Sequence, residues 1–380
     1  MPAIYDRLGV RPIVNARGTH TRLGGSLMAR EVREAMNQAA TAYVVLEELQ
    51  AAASRVIARA TGAEAGMVTA GAAAGLLLGT AACMTGEDPA CIEQLPNTAA
   101  LPRNRAVMHR AHRNGYDHSV RASGASIVEV GYAHRTLPYQ LEAALDDDRV
   151  AVVVYLVSPW ASRGALSLAE TCRIAHQRGV PVLVDGSAVL PPADNLTRFI
   201  GAGADLVTFS GGKGLNGPQA SGVLAGRADL IRAAALNGNP NHGIGRAAKS
   251  AKEDIVGLLV ALERYLARDH AADIVRWRSQ TEYVAQALHA IDGIETRCRF
   301  DGTEYLLPQL EITIDPATGI DAHALTQALE EGNPRVFLFE PSGPGAQPNS
   351  VVVNPHTLQP GEERIVAEVL HAALRARVVA

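Results

Sequence analysis

The residues best equipped for chemistry lie in one glycine-rich loop, Asp205 to Pro218, which reads Asp-Leu-Val-Thr-Phe-Ser-Gly-Gly-Lys-Gly-Leu-Asn-Gly-Pro. Lys213 stands there, directly after an apolar run of the kind that forms a buried strand. Burial disfavours the charged form of lysine, so an interior lysine usually has a task. A desolvated amine is a nucleophile and can form a Schiff base with a carbonyl. Its small neighbours let another group come close. The plain alternative is a tight surface turn carrying a solvated lysine.

Two nucleotide readings of this loop fail on context. Gly212-Lys213-Gly214-Leu215-Asn216-Gly217 matches GxGxxG letter for letter. A dinucleotide fingerprint, however, opens a helix there and has an acid about 20 positions on. Here Pro218 follows, and Asn237 begins Asn-Gly-Asn-Pro. A phosphate-binding Walker loop needs Ser or Thr after the lysine, and Lys213 is followed by Gly214.

Three more stretches complement the lysine. Val182-Leu183-Val184-Asp185-Gly186-Ser187 ends an apolar run on an acid. Asp185 is either a cap or loop acid, or a carboxylate beneath a pyridine nitrogen, keeping the ring protonated so that it drains electrons from a carbanion. Thr69 to Gly75, Thr-Ala-Gly-Ala-Ala-Ala-Gly, stands between a short strand and an apolar helix. Its small residues serve close helix–sheet packing, or let the amides of Gly71 and Ala72, with Ser210, hold a phosphate at a helix N-terminus. His109 to His118 is dense in basic and aromatic groups. It is a polar loop, or it offers His112 or Tyr116 as a flat group against a heterocycle, and its spacing is not that of a metal site. A lysine, an acid, a set of amides and a flat ring together describe a site for pyridoxal 5'-phosphate (PLP).

The surrounding pattern supplies the elements that must position these groups. Short apolar runs at Ala106–Met108, Ser126–Val130, Val150–Val157, Val180–Val184 and Asp205–Phe209 alternate with helical stretches such as Leu168–Arg178. Unbroken runs like Val150–Val157 mark strands buried on both faces. The alternation predicts an α/β fold with a mostly parallel central sheet and helices on both faces, where ligands gather beyond the carboxyl ends of strands. Arg30 to Ala39 and a stretch from Leu46 onward read as helices, and Asp254–Arg268 as a long one. The sequence beyond it reads as a smaller C-terminal α+β domain: helices at Trp277–Ile291, Ala322–Glu331 and Glu362–Arg377, strands at Gln309–Ile314, Val336–Phe339 and Ser350–Asn354. The expected division is an N-terminal arm and helices over 1–60, a large cofactor-binding domain over 61–265 and a small domain over 266–380.

At this point four stretches carry a resemblance to a known family. They are Asn15 to Gly25 (NARGTHTRLGG), Thr69 to Gly75 (TAGAAAG), His112 to Asp117 (HRNGYD) and Ser210 to Gln219 (SGGKGLNGPQ). They resemble the selenocysteine-synthase-related group of PLP enzymes, of fold type I in the aspartate aminotransferase superfamily, a group that includes D-glucosaminate-6-phosphate ammonia-lyase. The resemblance implies that Lys213 holds PLP as a Schiff base, that Asp185 partners the pyridinium, that His112 stacks on the ring, and that Gly71, Ala72 and Ser210 hold the phosphate. Ser187 stands where many enzymes of this fold type have His or Ala. Sites in the family form at a dimer interface, which implies a homo-oligomer with the dimer as its minimal unit and makes residues after Gly217 candidates to serve the neighbouring subunit.

The implied activity is a lyase that removes water and ammonia from a 2-amino-3-hydroxy acid, such as an amino sugar acid or its phosphate, to give a 2-keto acid. Amino acid racemase, aldolase and aminotransferase are the alternatives within PLP chemistry. A small anionic substrate needs anchors, and Arg17, Arg22, Arg246, Lys249 and Lys252 are the candidates, with Arg22 and Arg246 set in Gly-rich context. A tRNA-dependent reaction is disfavoured: the family core starts almost at Met1, without the extra N-terminal helical domain that the bacterial selenium enzyme uses for tRNA.

Composition agrees. The 380 residues are 47% hydrophobic and 19% charged, which excludes a disordered chain. A net charge of −4 lacks the basic excess that nucleic-acid binding requires. No run approaches a membrane span and the start does not read as a secretory leader, so neither nucleic acid nor membrane is an expected partner and a cytoplasmic location is. Cys83, Cys91, Cys172 and Cys298 form no CxxC pair and read as free thiols, three of them in apolar or helical context, with no metal site.

Overall fold

A computed structural model of the chain describes residues 3–158, 161–302, 306–342 and 346–378. Its strands, in chain order, are β1 (Val14–Ala16), β2 (Ala65–Thr69), β3 (Arg105–His109), β4 (Ser126–Val130), β5 (Val150–Leu156), β6 (Val182–Asp185), β7 (Leu206–Ser210), β8 (Gly222–Gly226), β9 (Ile294–Arg299), β10 (Gln309–Ile314), β11 (Val336–Leu338) and β12 (Ser350–Val353). Residues 26–268 form one compact unit, and residues 1–25 join 269–380 in a second. The first 25 residues therefore group with the C-terminal part of the chain, and the helices Arg30–Ala39 and Leu46–Thr61 with the large sheet.

That large sheet has seven strands in the order β2-β8-β7-β6-β5-β3-β4. All neighbours from β7 to β4 are parallel, and β8 runs antiparallel to both β7 and β2. Side chains alternate between the faces of a strand, so one apolar run feeds two cores. Val153, Val182, Val184, Val207 and Phe209 face a core that holds Ile57 and Leu258. Val152, Leu183, Leu206 and Leu224 face a second core with Leu76 and Leu78. The helix carrying those leucines, Ala72–Thr85, is apolar and largely buried. It lies close on the sheet because its contact residues are small: a Cβ on Gly75 would sit 2.2 Å from Thr208 Oγ1, and one on Gly79 would sit 3.0 Å from Leu183. Thus β2, β3, β6 and β7, all parallel, bring Thr69, His109, Asp185 and Ser210 to the same edge of the sheet.

The second unit is an α+β layer. An antiparallel sheet, β12-β10-β9, packs its Leu310, Ile312, Val351 and Val353 against Val284, Leu288, Val366 and Leu370 of two helices, His270–Leu288 and Glu362–Val378. β1 pairs in parallel with β11, placing Val14 beside Val336. The sequence pattern leaves residues 1–30 irregular and does not reveal β1, β8 or β9; β9 alternates with charge along an exposed edge, where no apolar run marks it. The pattern also begins a helix at Trp277, whereas the helix starts at His270, capped by the Asp269 side chain accepting from the Ala272 N–H.

Candidate active site

Lys213 sits in a tight turn between β7 and β8. No helix opens there, so the dinucleotide reading of the loop finds no support in the local backbone. The glycines around the lysine are required by packing. A Cβ on Gly211 would lie 2.1 Å from Ser221 Oγ, and one on Gly214 would lie 2.3 Å from the Leu190 carbonyl. Asn216 adopts a left-handed φ of 56° and its N–H bonds the Lys213 carbonyl at 3.1 Å, closing the turn. The side chain is only partly exposed, and its burial pulls the amine below the ordinary lysine range, opposed by the charge of Asp185.

Asp185 ends β6 and is 4% exposed. Burial raises its carboxyl above the usual carboxylate range, against a hydrogen bond from the Ser187 N–H at 3.0 Å and the charge of Lys213. The structure thus brings Lys213, Asp185 and Ser187 together. Ser187 acts on the acid rather than standing apart from it, since its N–H and hydroxyl both favour the ionised carboxyl.

The third group is built on one rung of the sheet. Gly222 in β8 lies opposite Thr69 of β2 on one side and Ser210 of β7 on the other. The chain leaves β2 through Gly71, whose φ of 84° an L side chain rarely adopts, and enters the helix at Ala72. A Cβ on Gly222 would lie 2.5 Å from the Gly71 carbonyl carbon and 2.8 Å from the Ala72 nitrogen. The turn therefore rests directly on Gly222, next to Ser210. Thr69 Oγ1 donates to the Gly71 carbonyl at 2.9 Å, and the Thr208 hydroxyl, beneath the helix start, donates to the Val223 carbonyl at 3.0 Å. The Gly71 N–H, expected from the sequence to face a phosphate, instead bonds the Thr69 carbonyl at 2.9 Å, so the N–H groups that helix geometry leaves open to an anion are those of the first turn, from Ala72 on. Sequence reading singles out Gly71, Ala72 and Ser210, which this rung brings together, but not Gly222 or Thr208. A glycine inside a strand is the available signal for Gly222. Thr208 carries no signal, since its sequence context is that of any core threonine.

His112 is fully buried in a short 3-10 turn after β3. Its Nδ1 accepts the Leu156 N–H at 3.2 Å, and burial pushes its pKa down to about 3. The ring is therefore neutral with its proton on Nε2, and that buried N–H has no partner among the described residues. Tyr155 meets the ring edge-on at 4.5 Å and His109 at 5.0 Å. His109 is itself held by Thr136 and Thr171, each at 3.2 Å, and burial lowers it to about 4. The rest of the His-Arg-Asn-Gly-Tyr-Asp stretch is scaffolding. Asn114 Nδ2 donates to the His112 carbonyl at 2.9 Å, and Arg113 pairs with buried Asp117. Tyr116, the alternative flat group, is 60% exposed.

The expected anion anchors are divided between the two units. Arg22 and Arg17 lie in the unit formed by 1–25 and 269–380, where Arg22 is exposed and Arg17 approaches Glu330 at 3.8 Å. Arg246 and Lys249 are exposed in the large unit, with Arg246 bonding Asn239 at 3.3 Å. Lys252 is spent on structure, donating to the Ala39 carbonyl at 2.6 Å and pairing with Glu253. A cleft of about 670 Å³ between Asp321, His323, Glu340 and Gln347 lies within the smaller unit and contains none of the residues singled out above.

A phosphorylated pyridine aldehyde fits the large-unit residues on three observations. The rung at Gly222 leaves a cradle that one Cβ would fill, Asp185 is a buried acid facing one lysine, and the His112 Nε2–H is an orphaned buried donor. Among the described residues no cluster of His, Cys, Asp and Glu could hold a metal, and no helix is long and apolar enough to cross a membrane. All four cysteines are free thiols, with Cys172 buried and Cys298 exposed.

Comparison with known proteins adds to this geometry. Residues 117–290 match the family described as SelA, L-seryl-tRNA selenium transferase. A 5'-C-glycyluridine monooxygenase-decarboxylase of a Streptomyces species is 33% identical over 95% of this chain and 90% of that protein. The D-glucosaminate-6-phosphate ammonia lyase of Salmonella typhimurium is 31% identical over 88% of this chain and 89% of its own. The solved structure of a D-glucosaminate-6-phosphate ammonia-lyase superposes with a TM-score of 0.87 at 29% identity, covering 99% of both chains.

Proposed function

The chain belongs to the selenocysteine-synthase-related family of PLP-dependent enzymes of fold type I, and from that premise we propose that it is an ammonia-lyase acting on a 2-amino-3-hydroxy acid, with an amino sugar acid or its phosphate as the substrate class. The likeness to an ammonia-lyase structure over 99% of both chains carries this reading. PLP, when bound, supplies the electron sink that makes the substrate Cα–H acidic. Lys213 would hold the cofactor and then, as a free amine, take the Cα proton at Nζ; its buried position favours the neutral, basic form this requires. Asp185 would keep the pyridine nitrogen protonated, the Ala72 N–H and Ser210 would receive the phosphate at the turn that Gly71 shapes, and His112 would cover the ring face. Loss of the 3-hydroxyl as water leaves an enamine whose hydrolysis takes water back and releases ammonia and a 2-keto acid.

Arg22 and Arg246 are the proposed substrate anchors, and we read the enzyme as a cytoplasmic homo-oligomer with the dimer as its minimal unit, working without nucleic acid. The expected result with D-glucosaminate 6-phosphate and related 2-amino-3-hydroxy acids is one ammonia and one 2-keto acid per turnover, with no amino acceptor and no oxygen uptake. The similarity to a monooxygenase-decarboxylase supports a second reading. Oxygen consumption matched by carbon dioxide release, with little 2-keto acid, would favour it over the lyase. Racemised substrate, aldehyde release or dependence on an amino acceptor would identify the racemase, aldolase or aminotransferase instead.

A further inference from the structure

The turn that carries Lys213 is tied mostly to itself. The Gly211 N–H bonds the Ser221 carbonyl at 2.8 Å, the Gly217 N–H bonds the Gly211 carbonyl at 2.8 Å, and Ser221 Oγ donates to the Pro218 carbonyl at 2.6 Å. The peptide between Gly212 and Lys213 is held from elsewhere. Its carbonyl oxygen accepts two hydrogen bonds from one residue, the Ser26 N–H at 3.0 Å and the Ser26 hydroxyl at 3.0 Å. On its other side Gly212 is backed by Gln219, since a Cβ there would lie 2.6 Å from the Gln219 Cα. A peptide group is planar, so the direction of the Gly212 carbonyl sets the position of the Lys213 Cα and the line along which its side chain departs. Ser26 reaches this point after Gly24 and Gly25, two successive left-handed residues with φ of 86° and 72°.

We propose that Ser26 is a positioning residue for Lys213: its paired donors clamp the Gly212 carbonyl and so aim the amine toward Asp185. The proposal rests on Lys213 being the working lysine of the function proposed above. Loss of the hydroxyl leaves one donor, lets the peptide turn, and lets the side chain drift toward solvent.

The chain has only three lysines, Lys213, Lys249 and Lys252, which makes a direct test clean. The cofactor-free full chain is pulse-labelled with acetic anhydride across a pH series, and each lysine peptide is quantified by mass spectrometry, with Lys249 as the exposed internal standard. In the wild type Lys213 reaches half-labelling below the ordinary lysine range. In Ser26→Ala the Lys213 midpoint moves up toward the ordinary lysine range, while the labelling of Lys249 is the same as in the wild type. Ser26→Thr, which keeps both donors, restores the wild-type profile. In the PLP-loaded enzyme, Ser26→Ala lowers kcat by about tenfold with KM within about twofold, as expected for a misaimed group rather than lost binding. Ser26→Cys, with a weak donor of similar shape, serves if the alanine variant does not fold. An unchanged Lys213 profile in Ser26→Ala or Ser26→Cys would overturn the proposal. The labelling does not depend on the reaction, so a shifted profile in a chain that never fixes PLP at Lys213 would sink the proposed function and leave the positioning role standing.

Discussion

Asp185 is a carboxylate that the fold buries before anything is bound, and its neighbours do not compensate it fully. Its proton comes off the unfolded chain near the ordinary carboxylate value of 3.8 and off the folded chain at higher pH. The folded state therefore bears a cost that is absent below the ordinary value and complete above the raised one. Asparagine has no proton to lose. Asp185→Asn should accordingly raise the melting temperature of the cofactor-free chain at neutral pH, and the gain should vanish as the pH falls toward the ordinary carboxylate range. The same change removes the proposed partner of the pyridine nitrogen, so PLP affinity should fall by at least about tenfold. Thermal melts at two pH values and a PLP titration check both halves; a cofactor-free variant less stable than wild type at neutral pH would contradict the account. His112 behaves differently. Its pKa of about 3 and its Nδ1 bond keep it neutral through the working range, so it serves as a fixed ring and N–H donor, not as a titrating group.

Between elements, the proposed phosphate cradle depends on how closely β8 lets the turn after β2 approach. Gly222→Ala would drive a Cβ into the backbone of Gly71 and Ala72, which cannot swing aside as a side chain would. We expect a stability loss of about 1–3 kcal/mol and a PLP dissociation constant raised by about tenfold or more. Wild-type affinity, measured by cofactor titration, would contradict the cradle. The elements that make this site are mostly legible in the sequence. Val150–Val157 reads as a strand buried on both faces, and β5 covers Val150–Leu156; the runs ending at Asp185 and Ser210 are β6 and β7. These are readable because a parallel strand buried on both faces is apolar at nearly every position. β8 escapes notice because Gly-Val-Leu-Ala-Gly is too short and glycine-bounded to stand out. The roles of Thr208, His109 and Ser26 are invisible because they arise from contacts between segments far apart in sequence. The anchors do not declare themselves for a related reason: an exposed arginine looks the same whether it awaits a substrate or only water.

At the scale of the whole chain, the division into 26–268 and 1–25 with 269–380 puts every proposed cofactor contact in one unit. Arg22, proposed as an anchor, belongs to the other. Basic residues number 35, yet only three are lysines, and one of those follows a strand in the middle of the large sheet. A guanidinium stays charged, whereas the part-buried amine of Lys213 is shifted toward the neutral form that the proposed function needs. The most direct measurement follows from that. The purified protein is incubated with PLP, its visible spectrum recorded, borohydride added, and the digested chain mapped by mass spectrometry beside Lys213→Ala. The account predicts a yellow band that bleaches on reduction, reduced cofactor on the peptide containing Lys213, and neither in the variant. A colourless wild-type protein, or cofactor fixed on Lys249 or Lys252 instead, would contradict it.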